Sequence, residues 1–275
     1  MPSVVFFDCE SDGKPPPLLD GQPDGYKDFS NVHATVVCAI VLTVEQIFHA
    51  TQHPDDLEQV LAAAQYYTWW ADDPDSAIRH FEPLLLLFDD AEAIAAFNGI
   101  EFDFPLLQTH YVSLGNKSDA NRRYTAHRAK TFDPFLRIRE ATTEWYKLDA
   151  LLKHNNLPTK SDTGAHAVHM WNAVLQHNLS AQKARARLDA ADASTNFLHV
   201  AMLRDEVTAH EAREAKERDA LATYCMDDVK VMTRMFLTHS IVAPKGHRLL
   251  EDMLLPHHLY HVASFLTGRR ALSVS

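Results

Sequence analysis

Val4-Val5-Phe6-Phe7-Asp8-Cys9-Glu10 is the stretch on which the fold turns. Four apolar residues, two β-branched and two aromatic, run without a polar break into two acids. A short continuous apolar run of this kind reads as a buried strand. Side chains alternate along a strand, so Asp8 and Glu10 at its end point to one side. Two carboxylates placed that way repel each other and raise each other's pKa unless a cation lies between them. A hard divalent ion with oxygen ligands resolves the repulsion. The plainer reading is a pair of solvated acids, since Asp-x-Glu arises by chance about once per few hundred residues.

Working outward, Ser11–Asn31 is dense in Pro, Gly and Asp, with Asp20-Gly21 and Asp24-Gly25 as turn signals. A loop of that length is usually functional or mobile. Thr35–Val44 reads as a second strand and Gln46–Thr51 as a third, close enough for a hairpin. Pro54-Asp55-Asp56 signals the start of a helix over Leu57–Trp70, and Ala77–Phe88 is another helix candidate. Ala93–Phe97 is a short strand closed by the turn signal Asn98-Gly99. A helix then starts at Phe104 and runs to Leu114. Thr131–Phe135 reads as a fifth strand with helix from Leu136, and Leu148–His154 as a short helix. Ala165–Val174 and Gln182–Asp192 read as helical, and Ala201–Phe236 as two helices, the second from about Lys216. Strands dominate early and helices late, which predicts an α/β chain with a mixed sheet flanked by helices.

The 275 residues, 46% of them apolar, suffice for a well-buried core. Charged residues at 23% and aromatics at 9% exclude global disorder. With 26 basic and 37 acidic residues the formal charge is 26 − 37 = −11. That argues against holding nucleic acid by bulk positive charge, but not against an enzyme that meets phosphates through a few cations or metal ions. The three cysteines, Cys9, Cys38 and Cys225, are far apart and odd in number, which disfavours a disulfide scaffold or a cysteine-rich zinc site. A soluble protein in a reducing, intracellular setting is expected, with no signal peptide and no membrane span.

Two further motifs are acidic. In Phe97-Asn98-Gly99-Ile100-Glu101-Phe102-Asp103-Phe104-Pro105 a strand ends at a tight turn and the chain enters a helix, with Asp103 at the junction. Taken alone, Asp103 reads as a cap of that helix, with Pro105 near its first turn. In Tyr224-Cys225-Met226-Asp227-Asp228 the helical phase decides between two acids. With Leu221 at zero and about 100° per residue, Cys225, Met232, Met235 and Phe236 fall within roughly 60° of zero. Asp228 falls near −20°, inside the apolar stripe, and Asp227 near −120°, outside it. Tyr224 lies one turn before Asp228 on the same flank. A carboxylate in a buried stripe is costly unless a partner or a metal receives it.

Together the three motifs resemble the DEDD superfamily of 3′-5′ exonucleases, the DnaQ-like branch of the ribonuclease-H-like fold. Asp8-x-Glu10 matches the first exonuclease motif. Asn98-Gly99-x-x-Phe102-Asp103-x-Pro105 matches the second, and Tyr224-x-x-x-Asp228 the third in its tyrosine form, since the position of the histidine form is Thr223. The resemblance spans roughly residues 3–240. It is closest to the proofreading exonuclease domains of family B DNA polymerases and to YprB-like bacterial proteins. Ser161–Trp171 resembles a segment that such relatives carry upstream of the third motif.

The resemblance implies an exonuclease domain over 1–240, with a helical insertion at about 160–215 and a helical extension at 241–275. It implies two Mg²⁺ or Mn²⁺ ions, with Asp8, Glu10 and Asp228 on the tighter one and Asp8 bridging to a second held by Asp103. Tyr224 would orient the attacking water. Products would be nucleoside 5′-monophosphates released from nucleic acid 3′ ends, with single-stranded DNA favoured over RNA. Asn98 would also touch the substrate. The family includes proofreading subunits and independent repair enzymes, and no polymerase partner is readable from this chain. An exonuclease-fold binding module that hydrolyses weakly or not at all, and an RNA-trimming exoribonuclease, are the alternatives.

Lys117–Lys130 is the most basic stretch, with Lys117, Arg122, Arg123, Arg128 and Lys130 against the single acid Asp119. It reads either as a track that steers phosphates to the acids or as a solvated loop. Lys183, Arg185 and Arg187 read as a solvated helix face. Phe6, Phe102, Phe104, Tyr124, Trp69 and Trp70 are candidates for base stacking, and most are better placed in a core; the aromatics beside the acidic motifs, Phe102 among them, are the exception. His166 and His169 read as helix surface or packing. His257, His258 and His261 lack the Glu of a zinc-binding HExxH pattern.

Overall fold

The computed structural model describes residues 1–19, 27–71, 81–113, 115–159, 164–191 and 197–237. Strand β1 (Ser3–Ser11) is followed by β2 (Ala34–Thr43), helix α1 (Val44–Gln52), α2 (Leu57–Ala62) and β3 (Gln65–Trp70). Then come α3 (Glu82–Asp90), β4 (Ala93–Ala95), α4 (Asp103–Ser113), α5 (Lys117–Ala129) and β5 (Thr131–Phe132). Helices α6 (Pro134–Thr142), α7 (Leu148–His154), α8 (Gly164–Ala190) and α9 (Phe197–Phe236) complete the described chain.

The five strands form one mixed sheet in the order β3-β2-β1-β4-β5. β1–β2 and β2–β3 are antiparallel, and β1–β4 and β4–β5 are parallel. With helices on both faces this is the α/β arrangement the sequence predicts, consistent with a ribonuclease-H-like fold. β1 is central and covered on both sides, so its apolar run has no polar break. Val4 and Phe6 join one core with β2 residues, α7, α8 and the C-terminal part of α9. Val5, Phe7 and Cys9 join the other, with Phe88 of α3 and Phe104, Leu107 and Tyr111 of α4. By alternation Asp8 and Glu10 share the face of Phe6, the face that α9 covers.

Two expected elements change type. Gln46–Thr51 is not a strand but lies in α1. The Thr43 hydroxyl accepts the Gln46 N–H at 3.1 Å while Gln46 Oε1 accepts the Thr43 N–H at 2.9 Å. This capping box starts a helix, and Val44, Ile47, Ala50 and Thr51 then bury one helical face. The helix expected over Leu57–Trp70 stops at Ala62, and the run Tyr66-Tyr67-Thr68-Trp69-Trp70 forms β3 instead. Aromatic and β-branched residues suit the pleated surface beside β2 better than a helix.

Other elements change extent. β1 is longer than Val4–Phe7, so Asp8 and Glu10 lie within the strand opposite Cys38 and Val36. β5 is only two residues, because Asp133-Pro134 begins α6. The two helices expected in 165–192 are the single α8, and the two in 201–236 are the single 40-residue α9. α8 and α9 pair along their lengths, with Arg187 on Glu206 at 3.0 Å, Arg185 on Glu211, and Asn178 Nδ2 donating to Glu214 at 3.2 Å. These two arginines are therefore tied across the pair rather than simply solvated. α8 and the N-terminal half of α9 lie within the stretch 160–215. Residues 77–80 and 160–163, both Asp-Gly turn signals at 20–25, and the extension at 241–275 with His257, His258 and His261 lie outside the described residues.

Candidate functional site

β1 outruns its parallel neighbour. The last residue of β4, Ala95, pairs with Phe6, whereas β1 stays paired with β2 as far as Ser11, with a register slip after Glu10. Beyond Phe6 the β4-side edge of β1 has no strand to receive its N–H groups, and a buried N–H needs an acceptor. The Cys9 N–H donates to Asp103 Oδ1 at 2.8 Å, 94 residues away in sequence. Asp103 therefore does not simply cap α4; it ties the start of α4 to β1. Its side chain is buried, and burial pushes the carboxyl up to about 7, against the Cys9 N–H that draws it down, with the Asp133 charge adding to the rise.

The turn between β4 and α4 has one left-handed residue, Asn98, at φ 64°. The tight turn that Asn98-Gly99 signals is present, and Gly99 is required by close approach: a Cβ there would fall on the Ala96 Cβ. One buried carboxylate pins this turn from outside the motif. Asp133 accepts the Asn98 N–H at 2.8 Å and the Ile100 N–H at 3.1 Å, and also caps α6 through the Phe135 N–H at 3.1 Å. Burial outweighs these donors and pushes the Asp133 carboxyl up to about 6. The strand expected over Thr131–Phe135 runs straight through Asp133 and hides this role. The Asp-Pro pair, an N-cap followed by a first-turn proline, is the signal that marks it.

Helix α9 brings the third motif against β1 and β2. Leu221, Cys225, Val229, Met232 and Met235 are at most 1% exposed, and Asp228 among them is 4% exposed. The Asp227 side chain is 40% exposed and pairs with Lys230 at 3.3 Å. The helical phase thus separates the two acids as the sequence predicts. Tyr224 is buried one turn before Asp228.

Asp8, Glu10, Asp103, Tyr224 and Asp228 line one cleft of about 400 Å³, with Asn98 and Phe102 on its wall. It opens at the C-terminal end of β1, beyond the end of the parallel neighbour β4, a usual ligand position in open α/β sheets. A carboxylate oxygen of Asp8, one of Glu10 and Cys225 Sγ lie within 4.8 Å of one another. The Cys225 thiol donates to the Asp8 carbonyl at 3.5 Å. Burial, Cys38 and the two carboxylates hold its pKa well above the ordinary thiol range. The thiol is engaged as a donor, and the oxygen donors of the cleft are its carboxylates. An oxygen-rich set from three distant stretches, three of its four carboxylates buried, fits a hard divalent cation.

The basic stretch lies elsewhere. It is helix α5, capped by Asn116 through the Asp119 N–H, not a loop, and none of Arg122, Arg123, Arg128 and Lys130 lines the cleft. Arg123 pairs with Asp89 at 3.0 Å, and Lys130 Nζ donates to the Ala91 carbonyl at 2.7 Å. Arg128 donates to the Ile100 carbonyl at 3.4 Å and lies over the Tyr124 ring, and Arg122 is 3.7 Å from Asp119. Among the described residues the cations that line the cleft are Lys14 and Lys27, neither of which stands out in the sequence. Trp69 stacks on Tyr67 and Trp70 on Trp171, away from the cleft, and His166 and His169 are on α8, both exposed.

Comparison of the chain with protein-family models and with curated proteins finds no match. Any functional reading therefore stands on the site itself.

Proposed function

We propose that this protein is a metal-dependent 3′-5′ exonuclease that hydrolyses phosphodiester bonds from nucleic acid 3′ ends, single-stranded DNA foremost, and releases nucleoside 5′-monophosphates. One observation carries the reading: four carboxylates from three distant stretches meet in a single cleft, with a tyrosine one helical turn from the last. Asp8, Glu10 and Asp228 would hold one Mg²⁺ or Mn²⁺, and Asp8 and Asp103 a second. Two such ions lower the pKa of bound water and stabilise the attacking and leaving oxygens of an in-line displacement.

The chain's own side chains do the rest. Four carboxylates supply about −4, which two divalent cations neutralise before an anionic substrate arrives. Tyr224 orients the attacking water through its hydroxyl. It is not the proton acceptor, because a phenol with a pKa near 10 is a poor base at neutral pH. Phe102 offers a ring for the terminal base, and Asn98 a polar contact beside it. Three buried, unpaired cysteines suit an intracellular setting, and no helix among the described residues is long and apolar enough to cross a membrane.

The test is Mg²⁺-dependent release of nucleotides from 5′-labelled single-stranded DNA and RNA. Asp8→Ala and Asp228→Ala lose at least about 10²-fold to 10³-fold of the rate while the thermal melt is retained. Asp227→Ala keeps it within about twofold. Equal, severe losses for Asp227→Ala and Asp228→Ala overturn the assignment. No release from either nucleic acid by the unaltered protein overturns the enzymatic reading in favour of a binding module.

A further inference from the structure

We infer that Lys14 and Lys27 form the phosphate grip of the cleft, so that a single-stranded polynucleotide is held from the β1–β2 loop and not from helix α5. The inference rests on the reading of the cleft as a nuclease site. Both lysines line that cleft together with its carboxylates. They come from the two arms of one loop whose base is closed by long-range pairs. The Asp12 N–H donates to the His33 carbonyl at 3.1 Å, and the His33 N–H donates to Asp12 Oδ1 at 2.8 Å. Farther out, the Asp28 N–H donates to the Pro16 carbonyl at 2.8 Å, and Pro17 and Lys27 form a β-bridge. The closure holds Lys14 and Lys27 at the same site.

Their charges contrast with those of Arg123 and Lys130 in the basic stretch, which Asp89 and the Ala91 carbonyl hold. Among the described residues neither lysine pairs with a carboxylate. Lys27 Nζ instead sits over the Phe102 ring, 5.4 Å from its centroid, and Phe29 meets that ring edge-on at 5.8 Å. A cation–π contact of this kind is worth about 0.5–1 kcal/mol at an open site, much less than a charge-assisted bond to phosphate. An entering strand draws the ammonium to its phosphate and leaves the ring face to a base. Lysine, a compact charge on a flexible stem, suits such a transfer. Two lysines match two successive phosphates, so the preferred substrate is a strand, not a single esterified nucleotide.

The experiment compares Lys14→Gln, Lys27→Gln and the double variant on a single-stranded DNA 12-mer and on the p-nitrophenyl ester of thymidine 5′-monophosphate, which has one phosphodiester. The double variant is expected to lower the 12-mer:ester ratio of kcat/KM about tenfold. The slope of log affinity against log salt, read by 12-mer anisotropy with Ca²⁺, falls by about 1.4, at about 0.7 per phosphate on a single strand. Retained thermal melts show that the fold survives. An unchanged ratio and slope overturn the inference, as does a slope that survives the double variant and falls in Arg122→Gln. If the unaltered protein hydrolyses neither substrate, the exonuclease reading fails separately, and the anisotropy slopes still decide the lysines. No binding of the 12-mer at low salt overturns both.

Discussion

Asp227 and Asp228 are neighbours with the same chemistry, and only a 100° turn of helix separates their fates. One side chain pairs with Lys230 in solvent; the other is buried beside β1. Tyr224 shares the buried flank and lines the cleft. If its hydroxyl orients the water, Tyr224→Phe removes one hydrogen bond to a charged group, about 1.5–3 kcal/mol. That corresponds to a loss of roughly 10-fold to 100-fold in kcat, with KM changed far less. Steady-state kinetics on single-stranded DNA check it. A variant with unaltered kcat assigns Tyr224 to packing alone.

At the scale of elements, regular periods were legible in the sequence. The alternation of β1 put Asp8 and Glu10 on one face, and the 3.6-residue period of α9 put Asp228 inward. Roles that depend on partners distant in sequence were not legible. Asp133 lies 35 residues after the turn it pins, and its role appears only when β5 is laid beside β4. Lys14 and Lys27 reach the cleft because Asp12 and His33 close a loop across 21 residues. The basic helix reads as a track because sequence does not show that Asp89 and two carbonyls already hold Arg123 and Lys130. The Gln46–Thr51 error was of another kind: a local capping box outranked an apolar run.

Two predictions belong to these elements. Asp133→Asn leaves two turn N–H groups and a helix cap with a weaker acceptor, and costs about 1–3 kcal/mol of stability. Gly99→Ala forces the turn away from Ala96 and weakens metal-dependent activity through Asp103. Chemical denaturation with nuclease assays checks both, and native stability and activity in the two variants together refute this account of the turn. The second concerns α3, α4 and α5. Buried His127 hydrogen-bonds the Tyr111 hydroxyl at 2.8 Å and Asp89 at 2.9 Å, with Arg123 and Lys130 nearby. Burial lowers its pKa, although Asp89 opposes the shift. The unfolded chain, with a histidine pKa near 6.5, therefore takes up this proton first. Stability is full above about pH 6.5 and falls as the pH drops toward the lowered folded value, by at most about 1.4 kcal/mol per unit. Melts at pH 7.5 and 5.5 measure the fall, and in His127→Gln it is smaller. An equal fall in the variant assigns the pH dependence to the other histidines.

For the molecule as a whole, a net charge of −11 has to coexist with an anionic substrate. Four of the acids line the cleft, where the strand would enter. At an effective dielectric of about 20, a carboxylate about 5 Å from a phosphate repels it by roughly 3 kcal/mol. Removing even half of one such repulsion exceeds the roughly 1.4 kcal/mol that makes a tenfold change in affinity. Without divalent cations the two cleft lysines face this field; with two bound, the carboxylates are neutralised and the lysines dominate. The affinity of single-stranded DNA at about 100 mM salt is therefore expected to rise at least tenfold when Ca²⁺ replaces EDTA. In Asp228→Asn, which removes a charge and a ligand, the EDTA affinity rises and the Ca²⁺ gain shrinks. Fluorescence anisotropy across a salt series reads both. Equal affinity in Ca²⁺ and EDTA shows that the acids do not hold the cation beside the substrate, and that the negative charge of this chain is simply a solvated surface.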